Sequence, residues 1–157
     1  MELYLVQHGK AKSKEEDPDR SLTDEGRHEV ERMAHYADGI GLQPGLICHS
    51  GKLRAEQTAE ILARALLPSE EAKELAGLAP NDDPEIARAA VEEAGKPLML
   101  VGHLPHLSRL TSLLLTGDPD NEPIAFQNAG IVSLKRDEEG WRLNWSLVPG
   151  VVPQTDS

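Results

Sequence analysis

Leu5-Val6-Gln7-His8-Gly9-Lys10-Ala11-Lys12 is the stretch that decides how the rest of the chain is read. Leu3 to Val6 form a short apolar run that stops at a polar residue, a histidine and a glycine. A buried strand opening into a loop has this form. In an open α/β sheet, ligands bind just beyond the carboxyl ends of the strands, so a histidine delivered there is placed to meet a substrate. One such histidine is weak evidence, and the remaining chain has to add to it.

Composition narrows the class. The chain has 157 residues, of which 39% are hydrophobic and only 3% aromatic. That length suits one domain with a two-sided core built from Leu, Val, Ile and Ala; residues 1–149 are expected to form it, with 150–157 as a flexible tail. The formal net charge is -11, and the pI is near 4.9. This balance, with so little stacking surface, argues against nucleic acid as a partner. No segment approaches the roughly 18 consecutive apolar residues of a membrane span, and the N-terminus lacks a signal-peptide plan. A cytoplasmic location is expected. The single cysteine, Cys48, cannot form an internal disulfide.

Anion binding needs only a local gathering of cations, and Lys10, Lys12 and Lys14 follow the first histidine directly. Beyond them, Ser21-Leu22-Thr23-Asp24-Glu25 reads as a helix start with hydroxyl caps and first-turn carboxylates. Val30, Met33, Ala34 and Ala37 continue it at helical spacing toward Gly39 or Gly41. Gly26 inside the first turn implies a close backbone approach. His28 and His35 are read as surface residues.

Leu46-Ile47-Cys48 is a second strand, followed by His49-Ser50-Gly51 and a helix over 52–66. Strand, glycine-containing turn and helix together point free N–H groups at an anion, and Arg54 in the first turn can add a bidentate guanidinium. A short strand is expected around Ala72 to Leu75, and a third helix over 85–94. Pro97-Leu98-Met99-Leu100-Val101-Gly102-His103 then repeats the opening device, so two strands bring histidines to one edge of the sheet. A helix over 105–115 follows, with His106 expected to be exposed. Two antiparallel strands, over 125–135 and 141–148, complete the chain, and the residues from Pro149 onward are expected to fray. The fold expected is a three-layer α/β sandwich. Its central sheet is mostly parallel, with helices on both faces and an antiparallel C-terminal strand pair.

The same residues carry a resemblance. Leu5 through His8-Gly9, Arg20-Ser21-Leu22-Thr23-Asp24-Glu25-Gly26, Ser50 with Leu53-Arg54-Ala55-Glu56-Gln57-Thr58-Ala59, and Val101-Gly102-His103-Leu104-Pro105 resemble, in order, the histidine phosphatase superfamily. The chain has no room for a large helical insertion, which favours the short SixA-like branch of protein phosphohistidine phosphatases. That resemblance implies His8 as a nucleophile forming a phosphohistidine intermediate, with Arg54 and His103 holding the non-bridging oxygens. It further implies Gln7, Gly9, Ser50 and Leu104 around the substrate. No metal or other cofactor is implied, and His103-x-x-His106 alone is too small a set to hold a metal. The implied partner is a histidine-phosphorylated protein, such as a phosphotransfer domain or phosphocarrier, or a small phosphoramidate. A monomer is expected.

Two positions depart from the family. Gln7 stands where the family has arginine, so a neutral amide replaces a charge-assisted donor and reduced activity is expected. Gly77 stands where a proton-donating glutamate belongs, leaving Glu74, Asp82 or Asp83 as substitutes. Two other readings stay open. One is a binding module of the same fold that holds phosphoproteins without turnover. The other is a cysteine-dependent phosphatase, since Cys48-His49-Ser50-Gly51-Lys52-Leu53-Arg54 fits the C-x5-R pattern.

Overall fold

The first strand, β1 (Glu2–Gln7), lies in the interior of a six-stranded sheet because four consecutive residues, Leu3 to Val6, are buried on both of its faces. The computed structural model describes residues 1–154. In chain order β1 is followed by α1 (Asp24–Gly39), β2 (Leu46–His49), α2 (Leu53–Leu66), β3 (Lys73–Glu74), α3 (Pro84–Glu93) and β4 (Leu98–Gly102). Then come α4 (His106–Thr116), β5 (Ile131–Asp137) and β6 (Gly140–Leu147). The sheet order is β3-β2-β4-β1-β5-β6. The pairs β3/β2, β2/β4 and β4/β1 are parallel, whereas β5 runs antiparallel to both β1 and β6. The expected mostly parallel sheet with an antiparallel C-terminal pair is therefore found.

Strand alternation divides the core in two. Tyr4, Val6, Ile47, Met99 and Val101 face α1 and α2, meeting Val30, Met33, Ala59 and Leu62. Leu3, Leu5, Cys48, Leu98 and Leu100 face α3 and α4, meeting Val91, Leu107 and Leu110. The helix after β1 and the helix after β4 thus cover opposite faces, although β1 and β4 are neighbours. Such a reversal opens a crevice at the carboxyl ends of the two strands.

Local chemistry fixes the helix starts. Thr23 caps α1 by accepting from Gly26 N, and Asp83 caps α3 by accepting from Glu85 N with Pro84 in the first turn. Gly26 has the close approach expected of it: a Cβ there would lie 2.2 Å from the Lys10 carbonyl oxygen.

Three expectations are corrected. His106 is fully buried, because the loop before α3 covers the first turn of α4 and brings Gly77 and Asp82 close to its ring. The strand expected from Ala125 begins at Ile131 instead. Ala129 adopts a left-handed φ of 62° and its N–H donates to the Gln7 carbonyl, so 125–130 turns across the end of β1. Pro149–Val151 is a 3-10 turn, with Arg32 donating to the Pro149 carbonyl and Val152 buried. Of the tail expected over 150–157, residues 155–157 lie outside the described residues. Among the described residues no helix is long and apolar enough to cross a membrane.

Candidate active site

The crevice receives His8 from β1, Ser50 from β2 and His103 from β4, each one residue beyond the end of its strand. The register explains the convergence: Gln7 pairs with Gly102 and His49 with Val101, so three strand ends are level. His8 N donates to the Gly102 carbonyl at 3.1 Å, which extends the ladder into the site. The rings of His8 and His103 lie with centroids 4.9 Å apart and planes inclined by 54°.

The tautomer of His8 follows from its neighbour. Its Nδ1 lies 2.7 Å from the Gly9 carbonyl oxygen, which can only accept, so Nδ1 carries the hydrogen and Nε2 keeps its lone pair. Burial, opposed by that bond to Gly9 and reinforced by the positive charges of Arg54 and Arg20, lowers the His8 pKa to about 4. His103 is lowered to about 3, first by burial and then by the charges of His8, Arg54 and Lys52. Both imidazoles are therefore neutral at pH 7. Ser50 Oγ lies 2.6 Å from Nε2 of His103 and also accepts from Lys52 N, so the serine shapes the turn and holds the ring.

Arg54 sits in the first turn of α2, half-buried, and its Nε has no hydrogen-bond partner. Burial and the nearby Arg20 guanidinium lower its pKa. Thr58, one turn further along, ties the helix to the loop that begins at His8: its hydroxyl donates to the Arg54 carbonyl at 2.8 Å and accepts from Gly9 N at 3.0 Å. Asn128 closes the other side by donating to the His8 carbonyl at 2.9 Å.

The residues expected around the site are not all alike in position. Gly9 packs so tightly beneath α1 that a Cβ would lie 2.7 Å from Val30 Cγ2. Leu104 is 40% exposed at the rim. Gln7 lines a separate cavity of about 400 Å³ with Lys10, Glu29, Phe126, Gln127 and Asn128, and its Oε1 is buried without a hydrogen-bond partner. Among the carboxylates, Asp82 accepts from Ala79 N and Asp83 caps α3, whereas Glu74 lies against the turn that carries Ser50. A Cβ on Gly51 would sit 2.5 Å from Glu74 Oε1.

Arg20 is the residue that sequence reasoning gave no separate role. It has a left-handed φ of 53°, its Nε donates to the Lys12 carbonyl, and its charge is felt by both His8 and Arg54. The sequence signal available was its place at the head of the Arg20-Ser21-Leu22-Thr23 stretch. Cys48 faces the other way. Its thiol is buried beneath α3 and α4, and burial raises its pKa, which removes the thiolate that a C-x5-R mechanism requires.

Residues 3–80 match the model of the histidine phosphatase superfamily, branch 1. The chain is also 29% identical over 155 residues to the phosphohistidine phosphatase SixA of Escherichia coli, covering 95% of this chain and 94% of that one. It belongs to the histidine phosphatase superfamily. An uncharacterized protein of Picosynechococcus sp. is 36% identical over 142 residues, covering 86% of this chain and 85% of its own. A solved structure of the protein histidine phosphatase SixA complexed with tungstate superposes with a TM-score of 0.84 at 28% identity, covering 96% of this chain and 98% of that one. Within the superfamily the chain is SixA-like in sequence and in fold.

Proposed function

We propose that this protein is a phosphohistidine phosphatase working through a phosphoenzyme on His8. The observation that supports the reading best is the neutral His8 ring, with its Nδ1 bonded to Gly9 and its Nε2 lone pair held beside His103, Arg54 and Arg20. The similar protein with tungstate, a tetrahedral anion of phosphate's shape, lends support.

In the first step Nε2 of His8 attacks phosphorus and the substrate's P–N bond breaks. The bonding pair stays with the departing imidazole, which takes a proton from solvent or from Glu74. Arg54, Arg20 and His103 hold the non-bridging oxygens and offset their charge in the transition state. Water then attacks the phosphorus on His8; the N–P bond breaks, the lone pair returns to Nε2 and orthophosphate leaves. One hard displacement becomes two easier ones. The substrate is a histidine-phosphorylated phosphotransfer or phosphocarrier protein in the cytoplasm. The P–N bond is labile enough to need little acid assistance, so the substitution of Gly77 for a glutamate is tolerated for phosphoramidates and not for alkyl phosphates.

The test is to incubate the protein with a phosphohistidine protein and follow orthophosphate release and phosphate transfer to the enzyme. Acid-labile, alkali-stable phosphate on the enzyme, lost in His8→Ala and retained in Cys48→Ser, is the expected result. Rapid turnover of alkyl phosphates, or phosphate retained in His8→Ala, overturns it.

A further inference from the structure

A cavity of about 510 Å³ opens beside the site, and four cations line it: Lys14, Arg20, Lys52 and Arg54. This is unexpected in a chain of net charge -11. Several cations elsewhere hold a carboxylate partner, as in Lys10 with Glu25, Arg88 with Glu85 and Arg142 with Asp137, and others stand singly on the surface. Among the described residues none of the four cavity cations has a carboxylate within 4.0 Å, although Asp19 and Glu56 share the lining. Four unpaired like charges around one cavity repel each other, and an anionic ligand relieves that repulsion.

The four do not stand equally close to the chemistry. The charges of Arg20 and Arg54 act on His8, and the Arg54 Nε is buried without a partner. These two match a phosphoryl group, which carries about two negative charges at pH 7. Lys14 and Lys52 are exposed on the same cavity, beyond that pair. The cavity is far larger than one phosphoryl group.

Resting on the phosphohistidine phosphatase reading, we propose that Lys14 and Lys52 form a second anion subsite that selects phosphohistidines flanked by carboxylate side chains. The acidic remainder of the protein sharpens this choice. It repels an acidic substrate everywhere except at this opening, and it draws a basic one to unproductive surface.

The test uses two peptides carrying one phosphohistidine each, flanked by Asp in one and by Asn in the other, with phosphoramidate as a small reference. Orthophosphate release is followed for the wild type and for the Lys14→Ala/Lys52→Ala double variant. In the wild type, kcat/KM for the Asp peptide exceeds that for the Asn peptide roughly fivefold, mainly through KM, as two screened charge pairs allow. That ratio falls toward one in the double variant, and in the wild type at about 0.5 M salt, where screening acts within a few ångströms. Equal kcat/KM on the two peptides alongside turnover of phosphoramidate overturns the subsite alone, as does a preference that survives in the double variant. Release from none of the three substrates overturns the phosphatase reading and the subsite with it.

Discussion

His8 and His103 face each other with ring centroids 4.9 Å apart, and both are held neutral by burial and by surrounding positive charge. The pair therefore behaves unlike free imidazole. An unfolded histidine titrates near 6.5, whereas these titrate at about 4 and about 3 in the folded chain. Between those values the unfolded chain binds more protons, so acid favours unfolding there. Their contribution is whole above pH 6.5 and is lost as pH falls toward 4. Urea midpoints measured at pH 7, 5.5 and 4.5 should decline less steeply in a His8→Asn/His103→Asn variant than in the wild type. The acid limb of kcat/KM should likewise lie well below 6.5. A limb centred at 6.5 would show a solvated imidazole and refute this account of the site.

Thr58 links the loop that begins at His8 to the helix that carries Arg54 through one buried hydroxyl. Thr58→Val keeps the shape and removes both bonds, leaving the Gly9 N–H buried without an acceptor. The expected loss is about 1–3 kcal/mol of stability, with a fall in kcat as His8 and Arg54 lose their relative placement. Thr58→Ser restores the hydroxyl and should recover most of the kcat. Chemical denaturation and turnover of phosphoramidate give both readouts, and equal behaviour of the valine and serine variants would rule the link out.

Gly26 sets the approach of α1 to the loop after β1. A methyl group there would meet the Lys10 carbonyl at 2.2 Å, and a backbone atom cannot swing aside as a side chain can. Gly26→Ala should therefore cost about 1–3 kcal/mol, the usual range for overpacking. The far end of the same helix makes the control: Gly39 has open space where its Cβ would be, and Gly39→Ala should leave the urea midpoint nearly unchanged.

What could be read from sequence was what local pattern determines. The apolar runs before His8 and His103 and the stripe Val30, Met33, Ala34 and Ala37 gave the sheet edge and the first helix, because burial periodicity is a local signal. The burial of His106 was not legible, since a first-turn polar residue is exposed unless another segment covers it, and here the cover comes from 76–83. Thr58 enters the sequence only within the stretch Leu53 to Ala59, which gives its place on the helix and no sign of the two bonds its hydroxyl makes. Arg20 escaped for a different reason. A left-handed φ at a non-glycine residue is uncommon and costs energy, and sequence pattern gives no warning of it.

Gln7 tests how far the site has been weakened. It occupies the family's arginine position, yet its amide lines the cavity with Phe126, Gln127 and Asn128, and its Oε1 is buried with no hydrogen-bond partner. Gln7→Arg removes that unsatisfied oxygen and adds a cation beside His8. Charge-assisted bonds are roughly twice as strong as neutral ones, so kcat/KM on a phosphohistidine protein should rise by roughly tenfold. Stability should change little, because the lost amide was contributing no bond through that oxygen. Orthophosphate release from the wild type, Gln7→Arg and His8→Ala, measured side by side, separates the two remaining readings. A wild-type baseline that rises with arginine and vanishes with alanine marks an enzyme weakened at one position. If instead the wild type binds the phosphoprotein, releases no phosphate and gains nothing from arginine, the fold serves to hold the phosphoryl group, and the loss of the glutamate at position 77 becomes the decisive departure.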